Sequence, residues 1–450
     1  MTFDLSSVRT ALDSAPDAPR LRPVGLRQVI TGPDALATLP ATVSALKAHA
    51  AGVVVVLADH ARITHQGGDL VSHVAKLLAT CGPVRVTRLG PVTGGAHADE
   101  DTVAASVHAA AGAAIVVTVG SGTLSDLGKI ACAGNGGRPH VIVQTAASVN
   151  GFADDQSVLL IDGVKRTVPS RWPDALLIDP EVIAGAPPAM NLAGVGDLVS
   201  MYTAPADWYL AAAIGIDDSY SATLVSMVRP HGDRLLDIAA DVAVAKPAAL
   251  EELAQLLTLS GITMGAAGRT AVSSGMEHTV SHLVEMAVGG AGLHGAQVGV
   301  ATLVAARTWR HVRNAIDAGQ CTPRPLDPDE QQAKIETAFG AAAAAECWRS
   351  YRRKLDWLRA RPTAVEDLLL RWRDHDAVLD TLLVDPDRLA AALAATGMPT
   401  RFSELAPAVD ARTARWAVAN CHLMRDRFGI ADLADLLGIW HSDAVESVLW

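Results

Sequence analysis

Between Val53 and Ala146 the chain alternates short runs of β-branched apolar residues with stretches whose apolar positions recur every three or four residues. VVVVLAD (53–59) precedes GGDLVSHVAKLLATCG (67–82), and VRVTRLG (84–90) precedes ADEDTVAASVHAAAG (98–112). AIVVTVG (114–120) precedes TLSDLGKIACAG (123–134), and VIVQTA (141–146) follows. Runs this short and this apolar predict strands buried on both faces, and their alternation with helices predicts a parallel sheet with covering helices. SVLLID and VKRTVPS (157–170) predict a small hairpin, and DALLID (174–179) one further strand. Past Pro187-Pro188 the strand pattern fades into Ala/Leu/Arg-rich text of helical period, with short breaks such as TPRPLDPDE (322–330) and VDPDR (384–388). The expectation is an α/β domain with a parallel sheet over residues 1–188 and an all-helical domain over residues 189–450.

Composition narrows the classes of function. Of 450 residues 50% are apolar and 19% charged, enough to build large cores. The 37 Lys+Arg against 48 Asp+Glu give a net charge of −11, so the global field attracts neither nucleic acid nor anionic lipid, and an anionic substrate needs a local basic patch. Cys81, Cys132, Cys321, Cys347 and Cys421 are odd in number and widely spaced, which fits reduced cysteines of a cytoplasmic protein. The start MTFDLSSVRTALDSAPDAPR has no basic-then-apolar leader pattern. Val103–Gly122 is almost uncharged yet divides into a helical part and a strand, so no membrane span is expected.

Two stretches carry candidate chemistry. VTVGSGTLSDLGK (117–129) reads as strand, glycine-rich turn and helix start. Gly120 and Gly122 allow close approach of a pyrophosphate, Ser121 lies between them, and Thr123 and Ser125 add hydroxyl donors at a helix N-terminus. The alternative is a turn whose glycines only supply positive φ. Asp59 ends the first strand, where an α/β sheet presents groups to a ligand; it accepts hydrogen bonds from a ribose or simply caps its turn. Farther on, MEHTVSHLVEMAVGGAGLHGAQ (276–297) places His278 and His282 on one helix face, and GGAGL permits a turn that returns His294 toward them. Imidazoles so gathered suit Zn²⁺ or a related divalent ion, with a carboxylate to complete the set; Asp197, on the uncharged stretch NLAGVGDLVSMY (191–202), is the candidate. The plainer alternative is three half-buried histidines and a helix-capping Asp.

VGSGTLSDLGK, QTAASVNGF, DGVKRT, AGVGDLVS, APADW, SGMEHTVSH and LHGAQVGV follow one another from Val119 to Val300. In order and spacing they resemble the sn-glycerol-1-phosphate dehydrogenases, within the superfamily of glycerol dehydrogenases, iron-type alcohol dehydrogenases and dehydroquinate synthases. The resemblance implies a Rossmann-like domain followed by a helical domain of the dehydroquinate synthase type. It implies Asp197, His278 and His294 as ligands of one divalent metal, Zn first with Ni or Fe as alternatives. It implies His282 as a substrate-side contact or proton relay near its ordinary pKa of about 6.5. Gly120, Ser121, Gly122 and Asp126 match the loop and helix start that hold the dinucleotide, Thr145 and Ser148 line it, and Asp59 goes with NAD(H) in preference to NADP(H). Lys165 and Arg166, with Arg171 nearby, form the local patch for a phosphate or other anion, or else ordinary charges of a solvated hairpin. The implied reaction is NAD(P)H-linked reduction of a small ketone, such as dihydroxyacetone phosphate to glycerol 1-phosphate, in a homo-oligomer.

Three departures fall near the expected substrate. Asn150 stands where the glycerol-phosphate enzymes usually carry Asp, Met201 where a Lys commonly follows the metal Asp, and Ala296 where HGEQ would place Glu. They leave open an alcohol dehydrogenase of specialised metabolism with another substrate. A dehydroquinate synthase-like lyase or cyclase is the other enzymatic alternative, although those enzymes usually offer Glu where this chain has Asp197. A nucleotide-binding module without turnover is the third, disfavoured because every ligand position keeps a competent side chain.

Overall fold

The computed structural model describes residues 3–47, 52–93, 95–161, 164–319 and 321–450. Its strands are β1 (Gln28–Thr31), β2 (Val53–Ala58), β3 (Thr64–His65), β4 (Gly68–Asp69), β5 (Val84–Arg88), β6 (Ala113–Gly120), β7 (His140–Gln144), β8 (Gln156–Ile161), β9 (Val164–Pro169) and β10 (Ala175–Ile178). Six form one sheet in the order β1-β10-β7-β6-β2-β5, every pairing parallel; β3–β4 and β8–β9 are antiparallel pairs. Successive residues of a strand face opposite sides, so β2 and β6 feed two cores. Val54, Val56, Ile115, Val117 and Val119 pack with Leu39, Val43, Leu70 and Val74. Val55, Leu57 and Val116 pack on the other side with Leu124, Leu127 and Ala131. Each such side chain taken from water contributes about 1.5–3 kcal/mol.

The predicted parallel sheet, hairpin and helical remainder are all present, with two differences in detail. Strand β1 escapes the apolar pattern because its four residues, QVIT, begin and end on polar side chains. Strand β5 lies at the sheet edge with one neighbour, so Arg85 and Val86 are exposed where burial on both faces was expected. After Ile178 no strand occurs among the described residues.

By its contacts the chain forms two compact units: residues 1–198 with 233–269, and residues 199–232 with 270–450. The division expected at 188/189 follows the last strand, whereas the first unit runs on to Leu198 and takes back residues 233–269, which hold nearly all of the helix Gly232–Ala243 and, after it, a longer helix. That helix, Pro247–Ala267, is buried along almost its whole length and packs on the helices Pro180–Ala184 and Pro188–Leu198. A Cβ on its Gly261 would lie 2.4 Å from the Asn150 carbonyl, which shows how closely it approaches. The second unit is helical among the described residues, with His294–Asp317 and Met276–Ala287 packed side by side. All five cysteines are free. No helix among the described residues is long and apolar enough to cross a membrane.

Candidate metal centre and nucleotide loop

In the second unit the helix Met276–Ala287 carries His278 and His282 on one face, their rings 6.4 Å apart. Gly289, Gly290 and Gly292 then take positive φ (65°, 79° and 95°), conformations that side-chain-bearing residues resist, and the chain turns back. His294 opens the next helix, its ring 5.3 Å from that of His278 and 5.6 Å from that of His282. The three histidines of the sequence pattern thus stand together.

Two carboxylates that the sequence reading passed over direct them. Glu277 Oε1 faces His278 Nδ1 at 3.0 Å, while its Oε2 accepts from the Thr203 hydroxyl at 2.8 Å. Glu285 is shared: Oε1 faces His294 Nδ1 at 3.1 Å and Oε2 faces His282 Nδ1 at 3.3 Å. A carboxylate at Nδ1 fixes the tautomer with its proton there and leaves Nε2 as the electron-pair donor. Burial opposes the charge of Glu277, yet His278, the Gly275 N–H and Thr203 outweigh it and hold the acid below the usual carboxylate range. The signal was present in sequence: Glu277 adjoins His278, and Glu285 stands three residues after His282 in an otherwise uncharged helix. His282 itself corrects an expectation. Burial first, then the Arg425 charge, push its pKa well below the ordinary value, so it is a neutral imidazole rather than one poised near 6.5.

In the first unit Asp197 is buried near the end of the helix Pro188–Leu198, two residues before the chain enters the second unit. Its Oδ2 accepts the Asn150 N–H at 2.9 Å, and the Asn150 amide donates to Ser260 Oγ at 3.2 Å. Ala147 N–H binds Asn191 Oδ1 at 2.8 Å, and a Cβ on Gly194 would lie 2.0 Å from the Ala147 carbonyl. The loop holding Thr145, Ser148 and Asn150 is therefore moulded onto the helix that carries Asp197. Met201 is buried, and Ala296 sits in the first turn of His294–Asp317.

The chain leaves β2 for β5 on one side and then starts β6 on the other, so the order in which strands are added reverses between β2 and β6. The carboxyl ends of those strands flank the crevice where such sheets accept ligands. Asp59 follows β2 and Gly120 ends β6. Asp59 Oδ1 accepts the Ala61 N–H at 2.9 Å, the bond its turn-capping alternative requires. Neither Gly120 nor Gly122 takes positive φ; a Cβ on Gly120 would meet Leu124 and one on Gly122 would meet Val149, each at 2.6 Å. The close packing at this strand-to-helix turn leaves no room for a side chain at either position. Ser121 caps the helix Gly122–Gly134 with no side-chain bond, leaving the first-turn N–H groups to other partners, and Thr123 lies in that turn.

Asp126 was expected to help hold the dinucleotide, and its two oxygens are engaged within the protein. Oδ1 pairs with Lys129 Nζ at 2.9 Å and Oδ2 accepts the Val158 N–H at 3.1 Å. Lys129, buried, also binds Asp154 at 2.7 Å and the Gly151 carbonyl at 2.8 Å. This network pins the β8–β9 hairpin, where Lys165 sits on β9, beneath the glycine loop. Arg171 is held by the Arg138 and Trp172 carbonyls and by Asp174 at 2.8 Å, which withdraws it from the expected basic patch.

Comparison with known proteins agrees with this picture. Residues 30–187 match the iron-containing alcohol dehydrogenase family. The chain is 33% identical over 207 residues to glycerol-1-phosphate dehydrogenase [NAD(P)+] of Methanothrix thermoacetophila, covering 45% of this chain and 57% of that one. It is 29% identical over 250 residues to the Bacillus subtilis enzyme of the same name, 55% and 60% of the two chains. The chain thus spans a little over half the length of these curated relatives. Among solved structures, a probable glycerol dehydrogenase from Sinorhizobium meliloti superposes with TM-score 0.60 at 16% identity, over 95% of this chain and 99% of that one. Maleylacetate reductase from Agrobacterium tumefaciens superposes with TM-score 0.57 at 16% identity, over 93% and 96%. At such identities the likeness is one of fold. The resemblance drawn from the motifs, to the glycerol-1-phosphate dehydrogenases and the iron-type alcohol dehydrogenase superfamily, is borne out.

Proposed function

We propose that the protein is a metal-dependent, NAD(P)H-linked oxidoreductase that reduces a small ketone, of the class of dihydroxyacetone phosphate, to a polyol phosphate such as glycerol 1-phosphate. The observation that carries this reading is the pair of buried carboxylates, Glu277 and Glu285, that occupy the Nδ1 atoms of three gathered histidines. That donor set fits a divalent ion on His278 and His294, with Asp197 the oxygen ligand that the resemblance assigns. Zn²⁺ suits it first, Ni²⁺ or Fe²⁺ next. Such an ion, when bound, supplies Lewis acidity at a ketone oxygen.

The remaining work falls to this chain. In the net reaction a hydride reaches the carbonyl carbon and a proton its oxygen. The helix start at Gly120–Thr123 receives the pyrophosphate of the dinucleotide, Thr145 and Ser148 line its path, and Asp59 accepts from the ribose while repelling a 2′-phosphate, which favours NADH. Asp126 serves the loop through Lys129 and the hairpin rather than by touching the coenzyme. His282, neutral with Nδ1 toward Glu285, offers Nε2 to a substrate hydroxyl and orients it; the proton that completes the alcohol then comes from water. Asn150 positions its loop through Asp197 and Ser260. With Met201 in place of a cation, Lys165 is the charge this reading assigns to a substrate phosphate. In this reading the first unit is the dinucleotide-binding part and also carries Asp197 and Lys165, and the second carries the three histidines.

The test is steady-state oxidation of NADH and NADPH against dihydroxyacetone phosphate and a panel of hydroxyketones and aldehydes, with Zn²⁺, Ni²⁺ or Fe²⁺ restored. Net NADH consumption with one of them is expected. Metal binding without net consumption on any ketone would favour the cyclase alternative.

A further inference from the structure

We propose that Asp207 is a positioning residue for the histidine helix: one buried carboxylate joins the start of Met276–Ala287 to the start of Ile430–Leu436 and thereby fixes the direction of His278. Asp207 lies in the first turn of the helix Ala204–Ile214 and is buried. Its Oδ2 accepts the Met276 N–H at 2.8 Å and its Oδ1 the Ile430 N–H at 3.0 Å. Each of those N–H groups belongs to the first residue of a helix. Helix starts are ordinarily capped by their own Ser, Thr, Asp or Asn. Here both cap positions are glycine, Gly275 and Gly429, and a Cβ would come within 2.8 Å and 2.9 Å of Asp207 Oδ2. Each start has an acid of its own on the cap N–H, Glu277 on Gly275 and Asp432 on Gly429, and the next N–H of both goes to the single carboxylate between them. Independent capping needs no such sharing; sharing makes the position of one helix depend on the other. Burial and then the nearby Glu277 push the Asp207 acid up to about 8, against the pull of the Met276 and Ile430 amides.

Two further contacts act across the same seam. Thr203, one turn before Asp207, donates to Glu277 Oε2 at 2.8 Å, and Glu277 Oε1 faces His278 Nδ1. Arg427, two residues before Gly429, binds Ser274 and donates to Thr270 Oγ1 at 3.0 Å. The helix start and the carboxylate that orients His278 are thus held from one face of Ala204–Ile214, and the segment around Gly429 is tied to the same place twice. APADW, one of the motifs that carries the resemblance, contains this residue at its fourth position.

The inference rests on the metal reading above, and its test separates the two. In metal-free protein, site-resolved amide hydrogen exchange is measured at Met276–His278 and at Ile430 in wild type, Asp207→Asn, Asp207→Ala and Gly429→Ala. Asn keeps one acceptor oxygen, so Asp207→Asn should lose protection at one helix start and keep it at the other, while Asp207→Ala loses both. Gly429→Ala should speed exchange at Met276 although it lies on the other helix. Co²⁺ titration should then show affinity lowered about 10–100-fold in the Asp207 variants, with altered d–d bands. In proteins of wild-type circular dichroism, unchanged exchange at both Met276 and Ile430 in Asp207→Asn, unchanged exchange at Met276 in Gly429→Ala, or an unchanged Co²⁺ spectrum in Asp207→Asn would overturn the proposal. Should Asp207→Ala fail to fold, the other two variants decide. A wild type that takes up no Co²⁺ sinks the metal reading, while the exchange measurements still decide the role of Asp207.

Discussion

The direction of three histidine rings depends on two acids. Glu285 faces His282 and His294 at once, so a single substitution reaches both rings. Glu285→Gln should lower metal affinity about 10–100-fold, the usual effect of removing a carboxylate behind a ligating imidazole. His278→Ala or His294→Ala should remove most bound metal, whereas His282→Ala should keep the metal and lose rate. Elemental analysis of the purified variants checks all four; a His282→Ala protein stripped of metal would reverse the assignment. Asp59 is decided at the same scale, since its Oδ1 already holds the Ala61 N–H. If the carboxylate also meets a ribose, Asp59→Ser narrows the preference for NADH over NADPH, chiefly through the coenzyme KM, because the contact is remote from hydride transfer. A ratio of kcat/KM values that does not move would leave Asp59 as a turn residue.

At the scale of elements, the strand-to-helix turn after β6 is anchored from below by a buried cation. Lys129 stands between Asp126 and Asp154 and ties the helix Gly122–Gly134 to the β8–β9 hairpin. Burial opposes the Lys129 charge, but the two acids outweigh it and raise its pKa, while burial pushes Asp154 up to about 6 despite the lysine. Lys129→Met should destabilise the protein by about 3–5 kcal/mol, the usual consequence of leaving a buried charge unpartnered. Chemical denaturation measures it, and Lys129→Met with Asp154→Asn should recover part of the loss. A single variant as stable as wild type would show that the network carries little. Sequence reading found the turn and both glycines here; of its two reasons, the alternative of positive φ is not what the backbone shows, because crowding by Leu124 and Val149 calls for the same residue that a left-handed turn does.

Across the whole molecule, acid stability is set partly by groups far from any site. His140 is fully buried in β7, with Nε2 2.8 Å from Thr118 Oγ1. Burial, and then the charges of Arg171 and Lys129, lower its pKa to about 3. A depressed histidine stabilises the fold fully above its unfolded pKa of about 6.5, and that contribution fades as pH falls from there toward the folded value. Between pH 7 and pH 5 the loss should be about 2 kcal/mol. His140→Gln, which keeps a partner for Thr118 and does not titrate, should remove that part of the pH dependence. Urea titrations of both proteins at the two pH values test it, and equal slopes would exclude His140 as the source.

The apolar pattern by itself determined the parallel sheet, the hairpin and the helical remainder, because burial on two faces, on one face, and at helical period each leave a different spacing of apolar residues. Spacing also singled out His278, His282 and His294, since i and i+4 share a helix face and three glycines permit the returning turn. Only the tertiary structure decided which unit takes back Pro247–Ala267 and that Asp207 stands between two helix starts whose cap residues are glycine. Those relations join residues far apart in the chain through hydrogen bonds and close contacts. A buried carboxylate and a solvated one are the same letter until packing removes the water.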